Sequence, residues 1–125
     1  MKEFADEKTQ IGIDFDGVIH KNSKGLYDGT IYDEPVKDVE EALKLISKRY
    51  TIIIYTAKAK SDRPLVNGKT GTELVLEWLQ KYNLAQYIST VTAEKPRAVV
   101  YIDDKGIRFE NWEDCLTQLN LLKIL

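Results

Sequence analysis

Two pairs of carboxylates carry most of the chemistry this chain could do. Asp14-Phe15-Asp16-Gly17 sets two acids two positions apart after the apolar run Thr9-Gln10-Ile11-Gly12-Ile13, and Asp103-Asp104 follows a second run, Ala98-Val99-Val100-Tyr101-Ile102. Side chains two apart on an extended backbone point the same way. At about 4 Å two like charges repel by roughly 4 kcal/mol at the effective dielectric near a protein surface, which a fold tolerates only with a cation or a shared proton nearby. Asp and Gly are also ordinary turn residues, and an acidic turn that ends a strand explains the first pair alone equally well. Two buried-type strands that each end in a double acid are harder to explain by turn chemistry. Gly17 lets the backbone turn closely around whatever the first pair faces.

The elements that must hold these residues alternate in type. The first apolar run reads as a buried strand stopped by Asp14. His20 to Asp33 is rich in Gly, Asn, Asp, Ser and Tyr and reads as a flap or small hairpin. Asp33-Glu34-Pro35 signals a helix start, and Val36, Val39, Leu43, Ile46 and Tyr50 follow at helical spacing. Thr51-Ile52-Ile53-Ile54-Tyr55 is apolar without alternation, as in a strand covered on both sides, and it ends in Thr56-Ala57. Lys58 to Thr70 reads as a polar loop carrying Lys58, Lys60, Arg63 and Lys69; it is either solvated or in contact with an anionic substrate.

Thr70 or Thr72 caps a second helix with Val75, Trp78, Leu79 and Tyr82 on one stripe, Trp78 being core. Ile88 to Thr92 and Ala98 to Ile102 are the third and fourth strands, joined by the loop Ala93 to Arg97, and Gly106 to Phe109 adds a brief fifth. Asn111 caps a last helix that turns Trp112, Cys115, Leu116 and Leu119 inward. The alternation predicts an α/β fold, an open, mainly parallel Rossmann-like sheet with helices on both faces. In such sheets the ligand crevice lies beyond the carboxyl ends of the strands, and Asp14, Asp16, Thr56, Asp103 and Asp104 all fall at that edge.

Length and composition narrow the classes. A chain of 125 residues is one domain's worth, here taken as residues 1–125, with 43% apolar and 30% charged residues. A net charge of −2 provides no basic field from which to argue a nucleic-acid partner. No apolar run is long enough to cross a bilayer, and Met1 to Lys8 lacks the apolar centre of a signal peptide, so no membrane association and a cytoplasmic location are expected. Cys115 is the only cysteine and sits at helical spacing among apolar residues, a core filler rather than a nucleophile. His20 is also alone, near the acids, with a structural or surface role at least as well supported as a catalytic one.

Four motifs, taken in order, resemble the haloacid dehalogenase superfamily of phosphotransferases: Asp14-Phe15-Asp16-Gly17-Val18, Ile54-Tyr55-Thr56-Ala57, Glu94-Lys95-Pro96 and Tyr101-Ile102-Asp103-Asp104. The resemblance spans roughly Ile11 to Trp112. It implies an Mg²⁺-dependent phosphatase in which Asp14 attacks phosphorus to form an aspartyl phosphate. Asp14, the Asp16 backbone carbonyl, Asp103 and Asp104 would hold the metal, which favours oxygen ligands and keeps several waters. The Asp16 side chain would protonate the leaving oxygen and then activate water, a role that needs a pKa near the working pH, raised here by its acidic neighbours. Thr56 and the Ala57 backbone N–H would hold phosphoryl oxygens, and Lys95 would offset the charge of the transferring group. Lys95 stands only eight positions before Asp103, a shorter gap than in many members.

The resemblance also implies a core with a small flap, residues 18–33 approximately, and no large cap. The open site suits a sugar phosphate, a nucleotide or nucleic-acid phosphate end, or a phosphoprotein, or it needs a second copy of the chain to close it. Two rival readings remain at this stage: a phosphoreceiver-type signalling module, whose acids would be distributed differently over the strands, and a catalytically silent binding protein that kept the fold.

Overall fold

The computed structural model describes residues 9–26, 28–103 and 107–125. Its strands are β1 (Gln10–Asp14), β2 (Thr51–Tyr55), β3 (Thr90–Thr92), β4 (Val100–Asp103) and β5 (Ile107–Arg108), and its helices are α1 (Val39–Ser47), α2 (Gly71–Lys81) and α3 (Trp112–Leu121). The strands form one sheet in the order β3-β2-β1-β4-β5 with every neighbouring pair parallel. The chain is thus a small α/β fold with the expected parallel sheet. Among the described residues no helix is long and apolar enough to cross a membrane.

One face of the sheet builds the core. Ile11 pairs with Ile52 and Val100, and Ile13 with Ile54 and Ile102. These side chains pack with Val39, Leu43 and Ile46 of α1, Val75 and Leu79 of α2, and Trp112, Cys115 and Leu119 of α3. The β1–α1–β2 and β2–α2–β3 crossovers step the same way across the sheet, and their common right-handedness puts both helices on one side. Of the two candidate caps Thr70 and Thr72 it is Thr70 that caps α2, in a reciprocal capping box with Glu73, and Asn111 caps α3 as expected, its Oδ1 accepting the Asp114 N–H at 2.8 Å.

The expectation of helices on both faces is not met among the described residues. The return from β3 to β4 has only the seven residues Ala93–Val99. It must pass β2 and β1, three strand spacings of about 4.8 Å each, which a helix rising about 1.5 Å per residue does not span in that length. The segment instead lies on the sheet as a strap: Gln10 Nε2 donates to the Arg97 carbonyl at 2.7 Å and the Val99 N–H donates to the Gln10 carbonyl at 2.9 Å. Gly12 makes the close approach possible, because a Cβ there would stand 2.9 Å from Tyr101 Cδ1 and 3.3 Å from Pro96 Cγ. Ile53 is buried on this second face, outside the helical core.

Two local expectations are corrected. The first helix starts at Val39, after Asp38 in a left-handed conformation (φ 68°), and not at Asp33-Glu34-Pro35. The Lys21 N–H donates to the Glu34 carbonyl and the Val36 N–H to the Ile19 carbonyl, both at 2.9 Å, so residues 34–36 pair across the base of the flap instead of winding. The stretch from Lys58 to Thr70 is also more ordered than a plain loop. It continues a 3₁₀ turn over Ala57–Ala59 and folds back on itself where Val66 and Lys69 pair.

Candidate functional site

β1, β2 and β4 end together. Asp14 sits beside Tyr55 in the β1–β2 ladder, and the pairing of Ile13 with Ile102 sends Asp14 and Asp103 out of adjacent strands side by side. Alternation along the strands puts Asp14, Tyr55, Tyr101 and Asp103 on the strap face, opposite the helices. Asp104 lies outside the described residues.

A polar cleft of about 170 Å³ opens at this edge, lined by Asp14, Asp16, Thr56, Ala57, Lys58 and Arg63. The chain after Asp14 wraps tightly to form one wall. The Phe15 carbonyl accepts the N–H groups of Val18, Ile19 and His20, and Gly17 takes φ 83°, a region L side chains rarely occupy. The opposite wall is the 3₁₀ turn, on which Thr56 Oγ1 accepts the Lys58 N–H at 3.2 Å. Asp14, Asp16, Thr56 and Ala57 are thereby brought together from two separate segments.

Asp16 is held from two sides. Its Oδ1 lies 2.8 Å from His20 Nδ1 and its Oδ2 accepts from Lys58 Nζ at 2.7 Å. The Lys58 side chain is only 3% exposed. Burial pulls the Asp16 carboxyl upward, but the contacts with His20 and Lys58 together outweigh it and hold the group below the usual carboxylate range. The expectation of a raised value is therefore corrected: the neighbours that matter are a lysine and an imidazole, not the other acids. His20, fully buried, stacks on Phe15 and meets the edges of Tyr32 and Trp78.

Lys95 is placed differently from the other site candidates. It reaches down from the strap so that Nζ lies 3.3 Å from Asp103 Oδ2, 4.3 Å from the Tyr101 ring centroid and 5.7 Å from that of Tyr55. It is not among the residues that line the cleft. The Tyr55 hydroxyl donates to the same Asp103 oxygen. Asp103, 6% exposed, thus faces a lysine and a phenol.

Lys58 is the residue whose place the sequence left open between solvent and contact with an anionic substrate. Its only signal was its position two residues after Thr56, diluted by the three other bases of a polar stretch. The structure supplies what the sequence lacked: a Cβ at position 71 would stand 1.6 Å from the Lys58 carbonyl oxygen, so the start of α2 presses directly on the turn that carries the lysine.

Among the described residues no three His, Cys, Asp or Glu side chains converge as a metal-binding group. Mg²⁺ is ordinarily held by one or two carboxylates, with water and substrate phosphate completing its shell, and Asp14 and Asp103, on adjacent strands, are the described acids that could supply them. No family model, curated protein or solved structure matches the chain. The likeness to the haloacid dehalogenases therefore stands on the four motifs.

Proposed function

We propose that this protein is a phosphate-monoester hydrolase of the haloacid dehalogenase type. The supporting observation is one cleft shared by Asp14, Asp16, Thr56 and Ala57 at the carboxyl edge of a parallel sheet, with Asp103 leaving the neighbouring strand. Asp14 attacks phosphorus, the ester P–O bond breaks, and the leaving oxygen takes a proton, from Asp16 when that carboxyl is protonated and otherwise from solvent water. Water then attacks the phosphorus of the aspartyl phosphate and frees orthophosphate and Asp14. Asp16, ionised at rest, is ready to take the proton of that water. To act as the acid in the first step it must arrive protonated, a state its contacts with Lys58 and His20 disfavour. Thr56 Oγ1 and the Ala57 N–H hold the phosphoryl oxygens.

Asp14, Asp103 and the Asp16 carbonyl would hold Mg²⁺, with Asp104 as the further acid, and the ion would neutralise charge on the transferring group. On Asp103 it would compete with the Tyr55 hydroxyl and Lys95. The cleft, at about 170 Å³, is smaller than the roughly 300–1,000 Å³ of pockets that enclose a whole ligand. Only the phosphoryl group is enclosed, and the leaving group stays outside. This fits a sugar phosphate, a nucleotide or nucleic-acid end, or a phosphoprotein.

The test is phosphate release from representatives of these classes with Mg²⁺ and with chelator. Asp14→Asn should abolish a metal-dependent release, and equal activity in that variant removes the reading.

A further inference from the structure

We propose that Lys58, and not Lys95, is the lysine that the cleft, beside Arg63, sets against a bound phosphoryl group, and that Gly71 is the positioning residue that puts it there. The assignment rests on the phosphatase reading for its catalytic consequence, but its geometry stands apart from it. Lys58 lines the cleft with Asp14, Asp16, Thr56 and Ala57, whereas Lys95 lies over Tyr101 and pairs with Asp103. Exposure separates the two further: the Lys58 side chain is 3% exposed and that of Lys95 is 42% exposed. A charge screened less by water acts more strongly on a neighbouring anion.

Charge balance points the same way. The described lining carries two acids, Asp14 and Asp16, and two bases, Lys58 and Arg63. A phosphate dianion entering beside two carboxylates needs a fixed positive group on the cleft wall, and the Asp16–Lys58 pair at 2.7 Å already holds one there. Lys58 and Thr56 also belong to one turn, tied by the 3.2 Å bond from the Lys58 N–H to Thr56 Oγ1. The residues that would supply the ammonium and the hydroxyl to the same phosphoryl group thus sit on one turn. Gly71 sets the height of that turn, since any side chain at position 71 runs into the Lys58 carbonyl.

The experiment measures orthophosphate binding by titration calorimetry, with and without Mg²⁺, alongside phosphate release and melting temperature, in Lys58→Met, Lys58→Arg, Lys95→Met and Gly71→Ala. Lys58→Met should weaken orthophosphate binding about tenfold or more. It should also lower kcat/KM about 100-fold. Lys58→Arg should restore most of the binding. Lys95→Met should leave orthophosphate binding without Mg²⁺ unchanged, and Gly71→Ala should weaken it as Lys58→Met does. If Lys58→Met does not fold because the half-buried Asp16 keeps only its His20 partner, the double variant with Asp16→Asn removes the Asp16–Lys58 ion pair together and carries the binding measurement. Wild-type protein that binds no orthophosphate, or binding lost with Lys95→Met and kept with Lys58→Met, overturns the assignment. Binding through Lys58 without release from any ester upholds it and removes the phosphatase reading. Release and binding unchanged in Lys58→Met do the reverse.

Discussion

His20 holds Asp16 with one ring nitrogen and the flap with the other. Nδ1 lies 2.8 Å from Asp16 Oδ1, and Nε2 accepts the backbone N–H of Asp33 at 3.1 Å. Because Nε2 accepts, the proton of the neutral ring sits on Nδ1 and is donated to the carboxylate. One fully buried side chain therefore ties the flap closure at Asp33 to the carboxyl group of the cleft.

Replacing His20 by Phe keeps a ring against Phe15 and removes both bonds. The Asp33 N–H then loses its acceptor, which should cost about 1–3 kcal/mol in denaturant unfolding. Phosphate release should fall about 10- to 100-fold as Asp16 loses its orientation. Hydrogen exchange at the Asp33 amide is the direct readout: unchanged protection in the variant contradicts the proposed link.

Gly12→Ala puts a methyl group where Tyr101 Cδ1 would lie 2.9 Å away and Pro96 Cγ 3.3 Å away. The Tyr101 ring on β4 must turn away and the strap at Pro96 must shift with it, at a cost of about 1–3 kcal/mol. Lys95 is carried on that strap, so its contact with Asp103 should loosen as well. Equilibrium unfolding measures the first effect and the chemical shifts of the Tyr101 ring the second.

Acid should loosen the flap before the core. The Ser23 hydroxyl and N–H, with the Glu34 N–H, lower the Asp33 carboxyl from its ordinary 3.8 to about 2. A carboxyl depressed in the folded state contributes in full above its unfolded value, and that contribution is lost as pH falls through the folded value. Amide protection in residues 20–26 and 28–33 should therefore decline between about pH 4 and 2, and Asp33→Asn should make this step smaller. Asp16, lowered as well, acts in the same direction. Protection that rises over this range would refute the assignment.

Cys115 should resist thiol reagents in the native protein. Burial, with a smaller contribution from Asp114, pushes its thiol up to about 12. The thiolate, which is the reactive form, is then scarce at pH 8. Disulfide-exchange labelling should proceed only after denaturant unfolds the chain. Rapid labelling of the folded protein would contradict the burial.

Several particulars could be read from the chain alone. Ile11 and Ile13, Ile52 to Ile54, and Val100 with Ile102 announced the central strands, because a parallel sheet under helices needs near-continuous apolar runs. Thr70 or Thr72, and Asn111, announced two helix starts, and Thr70 and Asn111 are the residues that cap them, because a cap is a local bond between near neighbours. The start at Pro35 was misread because the bonds to Ile19 and Lys21 that draw residues 34–36 into the flap come from a segment some fifteen residues upstream, beyond what a local signal reports.

The placement of Asp14, Asp16, Thr56 and Asp103 at strand ends follows from local pattern, since strand type and strand ends are encoded within a few residues. The environment of each charge does not. Lys58 meets Asp16 across 42 positions, and Lys95 meets Asp103 and Tyr101 only because a short strap must cross the sheet. Composition assigns charges to residues. Distance, burial and hence the strength of each interaction arise only when remote segments pack, which is why a lysine that looked solvated sits inside the cleft and one that looked catalytic stands beside it.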